Sequence, residues 1–118
     1  MARTSEGGPF VKELDAAGET HLPLLTEENA RRMRAGMVTL APGEECGRHS
    51  TEDYEELLII LEGRGEAELE GYGALALEAG QVVYIPPGTF HDVHNRGAGP
   101  LRYVYVVTPA GVAEAAEP

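Results

Sequence analysis

Three residues with metal-binding side chains, His49, Glu56 and His91, lie in or beside segments that the sequence pattern predicts to be strands. Imidazole nitrogens and carboxylate oxygens are common ligands of divalent metals in proteins. Because side chains alternate between the two faces of a strand, Glu56 should share a face with Leu58 and Ile60. If that face is buried, the carboxylate lies above aliphatic side chains, where a bound cation would offset the cost of burying its charge.

The remaining histidines and the single cysteine fit such a site less well. His94 follows His91 by three residues, so strand alternation places it on the opposite face, and we expect a surface histidine. His21 lies far from the other candidates, in a loop or at a sheet edge. Cys46 lies in a Gly-bounded segment and is predicted to be an ordinary loop thiol, and no intramolecular disulfide can form with one cysteine.

The segments that must position these side chains are short and are separated by Gly-rich and Pro-rich turns, a rhythm typical of all-β proteins. Such a meander must protect its sheet edges, and the number of strands favours a jelly roll of two stacked sheets. Residues 10–14 could add an edge strand, and residues 26–32 allow at most one short helical turn. The main predicted strands cover residues 33–41, 56–62, 65–70, 74–78, 81–85, 89–95 and 101–108.

The length of the chain limits its domain organisation, and its net charge limits the partners that it can bind. The 118 residues suffice for one domain, which we expect at residues 9–112 between a flexible arm at 1–8 and a flexible tail at 113–118. The formal net charge of −11 opposes binding to nucleic acid. The N-terminus lacks the apolar run of an export signal, and the longest apolar stretch is far shorter than the roughly 20 residues of a membrane span. We therefore expect a cytoplasmic protein with neither nucleic acid nor membrane as a partner.

Two stretches of the sequence resemble the two motifs of the cupin superfamily. Residues 43–63 resemble the first motif, but Thr51 stands where the family has its second histidine. Residues 80–95 match the second motif at all its fixed positions, which are Gly80, Pro86, Gly88, His91 and Asn95. The chain is therefore identified as a member of the small single-domain cupins, and the resemblance implies an all-β jelly-roll barrel.

The same resemblance implies a metal site inside the barrel. Many cupins hold Mn, Fe, Ni, Co, Cu or Zn through the motif residues, which makes His49, Glu56 and His91 the implied ligands. Two histidines and one carboxylate leave open positions for water, substrate or oxygen, and the same ligand types also suit catalytic zinc, so they do not select the metal. As further cofactor-binding residues we expect Thr51, which could hydrogen-bond a bound water, and Tyr84, if its side chain points inward.

Several functions remain open from the sequence. The first is a metal-dependent enzyme, such as an oxygenase or isomerase, acting on a small organic molecule in the barrel, with no catalytic residue assigned. The second is a non-catalytic module that binds or senses a small molecule or metal, which the short chain and the incomplete first motif favour. A third is a homodimeric scaffold, in which residues 10–14 pair between subunits. The acidic residues between 44 and 55 disfavour a strongly anionic substrate, but the fold alone does not identify the ligand.

Overall fold

The structure, a computed structural model, describes residues 8–15 and 18–111. Within these residues the fold is all-β, with nine strands and no helix. In chain order the strands are β1 His21–Leu25, β2 Arg34–Leu40, β3 His49–Ser50, β4 Tyr54–Glu62, β5 Arg64–Leu69, β6 Gly73–Glu78, β7 Val82–Ile85, β8 Phe90–Asn95 and β9 Leu101–Pro109.

The strands form two antiparallel sheets, as the predicted jelly roll requires. The five-stranded sheet has the order β1-β2-β9-β4-β7, and the four-stranded sheet has the order β3-β8-β5-β6. Strand β4 illustrates why the sheets face each other, because Glu56, Leu58 and Ile60 are buried while Leu57 and Leu61 are exposed. Each aliphatic side chain buried in this way contributes about 2 kcal/mol of transfer free energy. The core therefore lies between the two sheets, and the side chains around the site project from its walls.

All seven main predicted strands are present, with ends that agree to within two residues. Two strands were missed, β1 and the very short β3. The prediction of an edge strand at residues 10–14 is wrong, because β1 occupies the edge position beside β2. The expected turn at 26–32 is a single hydrogen-bonded turn, in which the amides of Asn29 and Ala30 both donate to the carbonyl of Thr26.

The predicted arm at residues 1–8 and tail at 113–118 lie, apart from Gly8, outside the described residues. The part of the chain that is described contains no helix of the length and apolarity needed to cross a membrane.

Two motif residues fix the end of the barrel away from the histidines. The buried side-chain amide of Asn95 donates to the carbonyls of Leu40 and Gly99, and its oxygen accepts from the amide of Gly97. Gly63 has a φ of 86°, and a side chain at this position would collide with the carbonyl of Pro100. These contacts tie the β4–β5 turn and the end of β8 to β9, and so set the register of the strands that carry the site.

Candidate metal site

The histidines of the site come from one sheet and the carboxylate from the other. His49 on β3 and His91 on β8 are directly paired across the four-stranded sheet. Glu56 projects toward them from β4 in the five-stranded sheet. The ring centroids of the two histidines are 4.3 Å apart, and Nε2 of His91 lies 3.2 Å from Oε1 of Glu56. One ligand atom from each of the three residues lies within 4.8 Å of the other two, so the sequence prediction that they converge agrees with the geometry.

Backbone carbonyls orient both imidazole rings. Nδ1 of His49 lies 2.8 Å from the carbonyl of Gly47, and Nδ1 of His91 lies 3.0 Å from the carbonyl of Thr89. A carbonyl oxygen can only accept a hydrogen bond, so Nδ1 carries the proton in each ring. In the neutral form of each ring this leaves the lone pair on Nε2, the arrangement found for metal-binding histidines whose other nitrogen is held by a protein acceptor. The donor set is therefore chemically suited to a divalent metal.

The site is buried at Glu56 and His91 and open to solvent at His49. Only 2% of the His91 side chain is exposed. Burial by itself lowers the pKa of His91, but hydrogen bonds to Glu56 and Thr89 and the charges of Glu56 and Asp92 outweigh it, so the pKa is raised overall. The position next to Glu56 thus favours a positive charge, and the pairing of the Glu56 carboxylate with a bound cation stays a prediction.

Thr51 lies beside the ligands, but its hydroxyl is used by the backbone. The hydroxyl donates to the carbonyl of Pro86 at 2.7 Å and accepts from the amide of Thr89 at 3.0 Å. These bonds attach the segment after His49 to the turn that precedes His91. Because its proton is directed to Pro86, Thr51 positions the turn, and its contact to a bound water stays a prediction.

Tyr84 does not enter the interior, which corrects its expected role in cofactor binding there. Its side chain is 56% exposed, and its hydroxyl donates to Glu55 on the outer surface. The reason is the alternation of β7, since Val83 and Ile85 are buried in the core and the residue between them must point outward.

A cavity of about 570 Å³ adjoins the three ligands, and its walls are mostly apolar. The polar residues Arg34 and Tyr105 line it and were not among the predicted site residues, and His21, which was expected to lie outside the site, lines it as well. Nε2 of His21 lies 2.7 Å from the hydroxyl of Tyr105, and their rings are stacked. Side-chain alternation along β2 is the sequence feature that could have identified Arg34, because Arg34 and the buried Val38 are four residues apart and share a face. The sequence did not show which face of β2 lines the interior.

Cys46 also lines the cavity and is therefore more than the loop thiol that the sequence predicted. Burial raises the pKa of its thiol, although a hydrogen bond with Tyr103 opposes this effect. Burial and the neighbouring Cys46 also raise the pKa of Tyr103. Both groups therefore stay protonated at neutral pH.

His94 lies on the face of β8 opposite His91, as predicted, but it is not a surface histidine. Its side chain is 13% exposed, because the segment containing Glu45 bridges to it. Carboxylate oxygens of Glu45, Glu68 and Asp92 lie 3.2, 3.1 and 3.6 Å from its ring nitrogens. His94 thus belongs to an ionic cluster outside the barrel cavity.

Comparison with known proteins identifies a family and relatives of this chain. Residues 36–107 match the family model described as Cupin domain. The chain is 30% identical over 74 residues to "Tetracenomycin polyketide synthase protein TcmJ" of Streptomyces glaucescens, covering 63% of this chain and 49% of the relative. It is 32% identical over 74 residues to "Polyketide synthase CurC" of Streptomyces cyaneus, covering 63% and 47%. The chain thus spans about half the length of these curated relatives.

Among solved structures, a Cupin 2 conserved barrel domain protein from Salinispora arenicola superposes with a TM-score of 0.72 at 26% identity. The match covers 88% of this chain and 92% of that structure, so it extends over nearly the whole barrel.

Proposed function

Because the chain belongs to the cupin family, we propose that it binds a divalent metal through His49, Glu56 and His91 and acts on a small organic molecule in the adjoining cavity. The observation that carries this proposal is the orientation of the two rings, whose Nδ1 atoms are held by the carbonyls of Gly47 and Thr89. One ligand atom from each of the two imidazoles and from the carboxylate lies within 4.8 Å of the other two.

The reaction that this site supports best is a metal-dependent oxygenation or isomerisation. A bound Mn, Fe, Ni, Co, Cu or Zn ion supplies Lewis acidity or, in the case of iron, oxygen activation. The chain's own residues bind the organic molecule and limit the access of water. A volume of about 570 Å³ with mostly apolar walls is typical of pockets for small organic ligands.

The two curated relatives are polyketide synthase proteins by name. Their names support an organic ligand that has an apolar carbon skeleton and several oxygen atoms. The cavity offers apolar surface for the skeleton and polar groups for the oxygen atoms. Apolar contacts come from residues such as Leu58 and Val93, and polar contacts come from Tyr105 and the ligand residues.

The metal is tested by elemental analysis of protein purified without chelator, with melting curves before and after EDTA. We expect one divalent metal per chain and a lower melting temperature after its removal, because a ligand that binds only the folded state stabilises it. His49→Ala and His91→Ala should lose the metal, whereas His94→Gln, outside the cavity, should keep it. Failure of the unmodified chain to take up manganese, iron, nickel, cobalt, copper or zinc would refute the proposal.

A second candidate function is a non-catalytic module that binds or senses a ligand. The observation that favours it is Thr51, which stands in place of the second histidine of the first cupin motif and whose hydroxyl is used by the backbone. The site therefore has three protein ligands instead of four. The two candidates differ in turnover. A reaction whose rate follows metal occupancy supports the enzyme, and oxygen uptake measured with an electrode separates an oxygenase from an isomerase.

The homodimer expected from the sequence stays a prediction, as do the cytoplasmic location and the lack of a nucleic-acid partner. The outer face of β7 is compatible with self-association, because Val82 is 62% exposed next to the exposed Tyr84. Light scattering of the purified chain measures the oligomeric state, and a Val82→Glu variant tests whether this face is responsible for it.

A further inference from the structure

We propose that the cavity binds a small organic monoanion, whose negatively charged group is held by Arg34 while its other end lies at the metal ligands. This inference rests on the proposed function and adds to it the class of ligand and the residue that selects it.

Strand register places Arg34 two strands away from the proposed metal ligand Glu56, in the same sheet. Arg34 on β2 pairs with Val107 on β9, and Val107 pairs in turn with Glu56 on β4. The three residues form one row across adjacent strands, and all three line the cavity. Neighbouring strands are about 4.8 Å apart, so the backbones of Arg34 and Glu56 are separated by roughly 10 Å. A ligand of about ten heavy atoms can therefore contact both ends of this row.

Arg34 has hydrogen-bonding capacity that residues 8–15 and 18–111 do not use. Nη1 donates to the carbonyl of Met33 at 2.8 Å and weakly to that of Arg31 at 3.5 Å. A guanidinium group has five N–H donors, so several stay available. Arg34 forms no ion pair with any residue in the described ranges, although the chain has an excess of acidic residues. Three other arginines do form ion pairs, namely Arg48, Arg96 and Arg102.

The charges along the cavity wall limit the ligand to one negative group. Arg34 is the arginine that lines the cavity, and Glu56 lines it as a carboxylate, whereas the carboxylate of Glu45 is directed to His94 outside the cavity. A second anionic group would lie close to Glu56, with only the metal to balance the two negative charges. A carboxylate suits the guanidinium best, because two of its parallel N–H donors match the two carboxylate oxygens.

A polar pair next to Arg34 gives the ligand a further contact. Tyr105 pairs with Gly36, two residues after Arg34 on the same face of β2, and shares a hydrogen bond with His21. A Cβ at Gly36 would lie 2.6 Å from Nε2 of His21 and 2.7 Å from the Tyr105 hydroxyl, so glycine leaves the space that this pair occupies. Burial raises the pKa of Tyr105, which keeps its hydroxyl protonated. If His21 donates to this hydroxyl, its proton is left for a ligand oxygen, and if the hydroxyl donates to His21, its lone pair can accept from a ligand hydroxyl. The ligand should therefore carry an oxygen between its carboxylate and the metal, or at the metal end.

The test compares two probes of the same shape, 4-hydroxybenzoate and the neutral 4-hydroxybenzamide, by isothermal titration calorimetry. Metal content is measured on each sample, and each is also titrated after EDTA treatment. We expect 4-hydroxybenzoate to bind about tenfold more tightly than the amide, the size of one charge-assisted interaction. Arg34→Gln should abolish this preference, Arg34→Lys should retain part of it, and Arg96→Gln, on the outer surface, should leave it unchanged.

The outcomes separate this inference from the proposed function. Protein that contains stoichiometric metal but shows no preference for the carboxylate, or binds neither probe, overturns the role of Arg34 and leaves the metal site intact. An equal preference in the Arg34→Gln variant, with an unchanged melting temperature, also overturns it. Protein that takes up no metal but keeps an Arg34-dependent preference refutes the proposed function and supports Arg34 as an anion-binding residue.

Discussion

Nε2 of His91 on β8 lies 3.2 Å from Oε1 of Glu56 on β4, and this contact joins the two sheets of the barrel. His91 is buried among core residues, so the pair occupies a position that an apolar contact would otherwise fill. A buried carboxylate has a high energetic cost unless it is paired with a positive group, which here is either the protonated ring of His91 or a bound cation. Because the contact lies at the junction of the sheets, a metal bound there, as proposed, would also strengthen the packing between them.

Glu56→Gln should weaken metal binding by about tenfold or more, because it removes the only charged ligand and retains the size of the side chain. The measurement is competition of zinc with a chromophoric chelator. Glu70→Gln is the matched control, because Glu70 pairs with Arg48 on the surface. This variant should bind zinc with the same affinity as the unmodified protein. Equal zinc affinity of the Glu56 variant and the unmodified protein would contradict the assignment of Glu56.

Thr51→Val should lower the free energy of unfolding by about 1–3 kcal/mol, because the variant keeps the shape but loses both hydrogen bonds of the hydroxyl. Thr51→Ser keeps the hydroxyl and should lose much less. Urea unfolding of the metal-free protein measures both values. If valine and serine are equally stable, the hydroxyl does not hold the turn before His91.

The sequence predicted the seven main strands because alternation and turn residues are local signals. The three metal ligands were implied by the resemblance to the two cupin motifs, and their role as ligands stays a prediction. It did not predict β1, since Pro23 lacks the amide hydrogen that a strand interior requires, and β3 is too short to show a pattern. The predicted cofactor-binding role of Tyr84 failed for another reason. Both faces of β7 carry apolar or aromatic residues, so alternation separated the faces without showing which one was buried. Arg34 became visible as a cavity residue only through the pairing of β2 with β9 and of β9 with β4.

Alkaline pH should destabilise the protein through Tyr103, which is buried in the core. Burial raises the pKa of Tyr103 in the folded state, so the unfolded chain loses this proton at lower pH. The stability contributed by the protonated phenol is full below its ordinary pKa and falls as the pH rises above about 10. Urea midpoints between pH 7.5 and 11 measure this loss.

The control for the alkaline effect is a pair of tyrosine variants. Tyr103→Phe should reduce the pH-dependent loss above pH 10, whereas Tyr72→Phe, at an exposed position, should reproduce the unmodified profile. Identical profiles for all three proteins would show that Tyr103 ionises as freely in the fold as in the unfolded chain.

Gly36→Ala should destabilise the protein by about 1–3 kcal/mol and weaken binding of 4-hydroxybenzoate, because the added methyl group displaces the pair formed by His21 and Tyr105. Gly99→Ala is the control, since a Cβ at Gly99 meets no atom within 4 Å. Adding His21→Ala should recover part of the stability by making room for the methyl group, so the two changes should not be additive. Additive losses in thermal unfolding would mean that the space at Gly36 does not serve this pair, and Tyr105 would then have no assigned part in holding the ligand next to Arg34.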